Sequence, residues 1–284
     1  MTHSQTTKLA ENPNKAEQSN ERAMILMEKF PYDEFVSRNY MYISSQVQKR
    51  IKDIKLSLLG TGLNSIIAEN LVRLGVTNLY LHDNDKVELS NLNRQAYHYQ
   101  DIGKNKVDAL KNNLLNINPL CQIETQKGYI NQLSDISEHI CQSDIIINTV
   151  DCKQIYFDII EYGREKDKLV ICPFNPGFGG LVFLFSKQSV SASEVFDLNN
   201  GFQLNDIEIS RQLFEKYSKI KTISQAGQTI NGFLDNVIVN NYFPQMIIGA
   251  LQTTAFITTN IVKFIQNKPI RLAPDFFYID CMNL

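Results

Sequence analysis

"LLGTGLNSIIAENLVRLGVTNLYLHDNDKVELSNLNRQ", residues 58–95, decides the fold. It opens at the end of "IKLSLLG" (Ile54–Gly60), a mostly apolar run that reads as a strand buried on both faces. Gly60 and Gly62 then let the backbone turn tightly and approach a phosphate or ribose, at the start of a helix whose N-terminus favours negative charge. The helix spacing predicts a buried stripe through Ile66, Ile67, Asn70, Leu71 and Leu74, closed by Gly75. "TNLYLHD" (77–83) is a second strand, and it ends on an acid. Strand, glycine turn, helix and strand make the nucleotide-cradling half of a βαβ fold.

The same rhythm runs on in the C-terminal direction. Residues 105–119 read as a helix stopped at Pro119, 122–126 and 143–151 as strands, 153–167 as a helix and 168–175 as a strand. Alternation with short joins predicts an α/β, Rossmann-like, doubly wound and mostly parallel sheet. From Gly179 the pattern changes to a strand (179–186), a polar and partly loop stretch (187–235), a long helix (Pro244–Gln266) and a terminal strand (275–282). That tail predicts an antiparallel C-terminal extension. On the N-terminal side, residues 23–51 carry apolar residues at helical spacing, enough for one or two helices.

With 284 residues, 43% hydrophobic, the chain can bury a core without disulfide or metal staples. A net charge of −2 argues against a nucleic-acid scaffold. Cys121, Cys141, Cys152, Cys172 and Cys281 form no C-x-x-C pair, and His3, His82, His98 and His139 show no metal-ligand spacing, so no zinc is expected. No signal-peptide apolar region or membrane-length run is present, so a cytoplasmic protein with no membrane contact is expected. Residues 1–35 are expected to be a flexible polar segment or a peptide-contacting arm, and 36–284 the folded domain.

Chemistry gathers at the strand ends. Asp83 lies roughly twenty residues past the glycines, where a carboxylate binds ribose hydroxyls. Asp85, Asn91, Arg94 and Gln95 follow it, and Lys106 starts the next helix. Hydride transfer to NAD needs no pair of fixed cations here, whereas cleavage of a triphosphate does, because charge gathers on phosphate oxygens. Asp151 ends the apolar strand "DIIINTV". Two readings fit it: a magnesium ligand beside a triphosphate, or a cap on the following helix.

The stretch 58–95, with "GKNKVDALKNNLLNINP" and "IINTVD", resembles the ThiF/MoeB/HesA superfamily, bacterial relatives of ubiquitin-activating enzymes. The D-x-D…N-x-x-R-Q run carries that resemblance more specifically than the glycine turn. The resemblance implies ATP- and Mg-dependent adenylation of a carboxylate on a peptide or small ubiquitin-like carrier protein by a homodimer. It implies cofactor contacts from Gly60, Gly62, Asp83, Asp85, Asn91, Arg94, Gln95 and Lys106, with Arg94, Lys106 and Asp151 catalytic and Asp151 on magnesium. In-place chemistry on a peptide, as in ribosomal natural-product pathways, suits a compact chain.

Three departures stand out. The zinc knuckles of many members are missing, no cysteine lies between Cys172 and Cys281, and Met41 stands where the resemblance implies an arginine that reaches a partner subunit's triphosphate. Arg38 or Arg50 could supply that charge instead. Ser65 likewise takes the place of the third glycine of a dinucleotide fingerprint. Met41 and Ser65 motivate an alternative, a catalytically silent nucleotide-binding partner. A tRNA-modifying dehydratase-like member is a further variant, disfavoured by the absence of a basic cluster. For the helix 244–266, core packing and dimer contact fit equally well. The stretch Ser191–Asn241 reads as solvated loop or as a cover for the substrate.

Overall fold

A computed structural model describes residues 29–198, 205–216, 229–280 and 282. Of the segment expected to be flexible over 1–35, residues 1–28 lie outside the described residues, as do His3, Cys281 and parts of the polar stretch 187–235. Tyr32–Phe35, by contrast, form a helical turn whose Tyr32 Oη donates to Gly75 O at 2.7 Å.

Seven strands form one sheet: β1 (Lys55–Leu59), β2 (Asn78–Asp83), β3 (Gln122–Lys127), β4 (Ile145–Asn148), β5 (Leu169–Phe174), β6 (Gly179–Phe185) and β7 (Phe276–Asp280). Their order is β3-β2-β1-β4-β5-β6-β7. The first five run parallel, while β6 is antiparallel to both β5 and β7, as the change of rhythm at Gly179 predicts. All four residues of β4 and all seven of β6 are buried, which is why these runs are apolar without alternation. The chain leaves β1 toward β2 and β3, then returns to β4 on the other side. That reversal opens a crevice beyond the carboxyl ends of β1 and β4, where ligands gather in such sheets.

The main helices are α1 (Ser45–Asp53), α2 (Leu63–Leu74), α3 (Lys106–Ile117), α4 (Gln154–Glu165), α5 (Asp206–Lys216), α6 (Ile230–Asn240) and α7 (Ile247–Ile265). The predicted stripe on α2 needs correction. Asn70 is exposed and returns its amide to Ile66 O at 2.9 Å, whereas Asn64, Ser65, Ala68 and Val72 are buried. The helix packs on β1 and on α7 at once, so its covered face is wider than a surface helix needs.

Core packing, one of the two readings of the long helix, describes one side of it. Gly249, Ala250, Thr253, Ile257 and Ile261 are buried on the side facing the sheet. Gly249 is required there, because a Cβ would sit 2.6 Å from Gly177 O and 2.7 Å from Gly179 O. Met246, Ile247, Ile248 and Leu251, about a third of a turn or more away, face outward. The polar stretch 187–235, read as partly loop, is helical over part of its described residues. It holds a turn of helix at Ala192–Phe196 and the whole of α5, whose Ile209 and Leu213 form a buried i, i+4 pair.

His82, next to the ribose candidate Asp83, is buried against Tyr80 Oη (3.2 Å from Nδ1) and donates from Nε2 to Gly128 O at 2.8 Å. The ring of His139 stacks on Tyr80, and Asp83 and Asp135 face His82 as well. Desolvation outweighs those acids and holds the His82 pKa below its usual 6.5. The unfolded chain therefore takes up this proton first. Stability is expected to be full above about pH 6.5 and to fall as pH drops below it, until the lowered folded pKa is passed. Urea melts at pH 7.5 and 5.5 check this; the fall should shrink in His82→Asn.

Candidate functional site

The glycine turn is built by contact with the neighbouring strand end. Gly60 has φ +77°, and a Cβ there would lie 2.8 Å from Thr149 Oγ1 and 2.9 Å from Thr149 O. Thr149 Oγ1 donates within reach of Leu59 O (3.0 Å) and Gly60 O (3.1 Å), and Asn64 Nδ2 donates to Gly60 O at 2.7 Å and Thr149 Oγ1 at 3.1 Å. Thr149 and Asn64 thus pin the start of α2 between β1 and β4. No local pattern points to this pair, because Asn64 and Thr149 lie 85 positions apart.

Asp83 is heavily engaged. Its Oδ2 accepts from Thr61 N (2.5 Å) and Thr61 Oγ1 (2.8 Å), and its Oδ1 accepts from Asp85 N at 2.8 Å. A carboxylate has about four lone-pair sites, so one on Oδ1 is left for a ribose hydroxyl. The side chain both shapes the turn and can still face a nucleotide.

Beyond Asp85 the chain folds back over the turn. Asn91 is buried and its Oδ1 accepts from Glu88 N at 3.0 Å, so this side chain closes a 3₁₀ turn at Leu89–Asn91. Ser65 proves to be a tie rather than a worn glycine: its Oγ donates to Gly62 O (2.6 Å) and accepts from Ala96 N (2.9 Å). Tyr97 Oη donates toward Thr61 O at 2.8 Å. Gln95 thereby lies over Gly62, whose missing Cβ would be 3.2 Å from Gln95 Nε2. The Gln95 Oε1 atom is buried and has no hydrogen-bond partner among the described residues. An unpaired buried carbonyl beside a glycine turn fits a ligand that brings its own donor.

The two cations are tethered. Arg94 Nε donates to Gln245 Oε1 at 2.7 Å, and Nη1 donates to Ser90 O (2.6 Å) and Asn93 Oδ1 (3.0 Å). Nothing among the described residues accepts from Nη2, and burial lowers the guanidinium pKa. Gln245 joins Gly177 in an isolated parallel bridge, so the entry to α7 also borders the site. No local pattern points to Gln245. The Lys106 side chain is 8% exposed and Nζ donates to Asp85 Oδ2 at 2.9 Å, which assigns Asp85 to Lys106 in this structure.

Asp151 stands apart from this group, on the turn after β4. It is exposed, with Lys153 Nζ 3.4 Å from Oδ2, and α4 begins only at Gln154, so its side chain does not cap that helix. Among the described residues no cluster of three or more His, Cys, Asp or Glu could hold a metal. A single strand-end carboxylate nevertheless fits magnesium, which keeps several waters and binds one or two carboxylates plus substrate phosphates.

The sequence profile of the ThiF family matches residues 36–284. The chain belongs to the ThiF family. Ubiquitin-like modifier-activating enzyme 5 of Caenorhabditis elegans is 32% identical over 111 residues, covering 39% of this chain and 26% of that protein. The probable molybdopterin-synthase adenylyltransferase of Gracilaria tenuistipitata var. liui is 32% identical over 205 residues, 68% of this chain and 57% of that one. The matches to the first of these span about a quarter of the relative's length. Among solved structures, PaaA superposes with a TM-score of 0.61 at 20% identity, covering 98% of this chain and 84% of its own. E. coli MccB crystallised with AMPCPP and MccA gives 0.58 at 19% identity, covering 82% and 65%.

Against the family pattern implied above, Met41 is fully exposed with φ +80°. Arg50 sits on α1, just before the start of β1, and its Nη2 lies 3.5 Å from Asn267 Oδ1, away from the crevice at the strands' carboxyl ends. Arg38 is exposed on the 3₁₀ turn Ser37–Asn39. Cys152 and Cys172 are buried, and burial pushes the Cys172 thiol up to about 12, which leaves it a poor nucleophile. Among the described residues no helix is long and apolar enough to cross a membrane.

Proposed function

We propose that this ThiF-family chain uses ATP and magnesium to adenylate a carboxylate on a peptide or small ubiquitin-like carrier protein. The observation that carries the reading is the tethered pair Arg94 and Lys106, held beside a glycine turn whose covering residue, Gln95, keeps a buried oxygen unpaired. Gly60 and Gly62 let the nucleotide approach the backbone, and Asp83 takes the ribose. Asn91 shapes the loop that aims Arg94 and Gln95 at the phosphates. Asp151 holds magnesium, which would screen the triphosphate charge when bound.

In the reaction the substrate carboxylate oxygen attacks the α-phosphorus in line. The bond from that phosphorus to the bridging oxygen breaks, and pyrophosphate leaves with the electron pair. Arg94 presents its remaining Nη2 edge and Lys106 a point charge to the oxygens on which charge accumulates. The acyl-adenylate then reacts onward, on another protein or in place, since the buried Cys152 and Cys172 are poor transfer nucleophiles. MccB, crystallised with AMPCPP and MccA, supports the peptide-directed form of the reading. The outward apolar side chains of α7, with Ile238, Val239 and Tyr242, support a homodimer. A cytoplasmic setting suits an ATP-consuming enzyme.

A second reading, a silent nucleotide-binding partner, is favoured by Met41 alone. ATP–pyrophosphate exchange separates the two. With peptides or small carrier proteins bearing a free carboxylate, wild type is expected to catalyse substrate-dependent exchange and Asp151→Ala to lose it. ATP binding with no exchange under any such substrate would establish the silent partner instead.

A further inference from the structure

Asp151 rides on a short turn, Val150–Lys153, that is loosely held from within. Lys153 N donates to Asp151 O at 2.7 Å, and Val150 N lies 3.5 Å from Asn148 Oδ1. Among the described residues the hydrogen bond that reaches this turn from elsewhere in the chain is Cys152 N to Asp206 Oδ1, at 2.9 Å across 54 positions. Asp206 opens α5, whose first amides are already capped, since Asn205 Oδ1 accepts from Ile207 N and Glu208 N at 3.0 Å each. Its carboxylate is therefore not consumed by its own helix. The Cys152 thiol is buried beside the same carboxylate.

From this geometry we infer that Asp206 is a positioning residue: it fixes the turn that presents Asp151 to magnesium. The inference rests on the reading of Asp151 given above and deepens it. An unheld turn samples several orientations of Asp151, and a metal ligand must be fixed before it binds well; partners that orient a ligand typically cost ten-fold or more in metal affinity when lost. The link also joins this turn to α5, which packs on the helical turn Ala192–Phe196 and on α6.

The test uses the full chain with Mn²⁺ as probe and AMPCPP as nucleotide, reading free Mn²⁺ by electron paramagnetic resonance. Asp206→Ala is expected to weaken Mn²⁺ binding in the presence of AMPCPP by about ten-fold or more, with AMPCPP binding in the absence of metal unchanged. Asp206→Asn keeps an oxygen acceptor and is expected to stay near wild type. Amide hydrogen exchange over 150–153 should quicken in the alanine variant alone. Should Asp206→Ala fail to fold, Asp206→Glu displaces the acceptor by one methylene and carries the same expectation. Equal Mn²⁺ affinity in wild type and Asp206→Ala, or equal losses in the alanine and asparagine variants, overturns the inference. If Asp151→Ala leaves Mn²⁺ affinity unchanged, it is the metal assignment itself that fails.

Discussion

Arg94→Ala is expected to lower the turnover of ATP–pyrophosphate exchange by about 10²–10³, the cost of removing one preorganised donor from developing charge. The guanidinium is set before the nucleotide arrives, by Gln245 on Nε and by Ser90 O and Asn93 Oδ1 on Nη1. Its Nη2 edge is what remains to face phosphate oxygens. Arg94→Lys should recover little, because an ammonium on a flexible stem replaces neither the fork nor its three tethers. Gln245→Ala leaves the charge but frees Nε, and a misaimed fork is expected to cost roughly ten-fold. Steady-state exchange at saturating ATP, with nucleotide affinity measured separately, distinguishes lost chemistry from lost binding. Turnover of Arg94→Ala within about three-fold of wild type would remove Arg94 from its charge-stabilising role.

The largest effect on stability at the site is expected at Gly60. Alanine there carries a left-handed φ of +77°, costing about 1–2 kcal/mol. It also drives a methyl against the Thr149 backbone carbonyl, 2.9 Å from the ideal Cβ position, and such crowding costs about 1–3 kcal/mol. The sum, about 2–5 kcal/mol, corresponds to a Tm lowered by roughly 4–20 °C in a chain of this size. Gly103 provides the control. Its φ is +84°, but a Cβ there meets nothing within 4 Å, so Gly103→Ala carries the conformational part alone. Thermal melts of the two variants isolate the close approach of β1 and β4. Equal losses would mean that the approach is not tight, and the cradle would then lack its defining contact.

The sequence by itself determined the architecture. Buried strands such as Ile145–Asn148 and helices such as Lys106–Ile117 announce themselves because the period of apolar residues along the chain is a property of sequence neighbours. The glycines at 60 and 62, the acid at Asp83 and the N-x-x-R-Q run are contiguous for the same reason: one turn and two strand ends lie within a single βαβ unit. Tertiary structure alone decided how those residues are held. Gln245 meets Arg94 across 151 positions, and Asp206 meets Cys152 across 54. Such tethers depend on which segments the sheet order brings together, and a lone glutamine or a helix-opening aspartate carries no local trace of them. The same holds for Ser65, which reads as a lost glycine until Ala96 is seen to donate to it. It holds also for the long helix, whose apolar residues could be divided between sheet and surface only once β6 lay beneath Gly249 and Thr253.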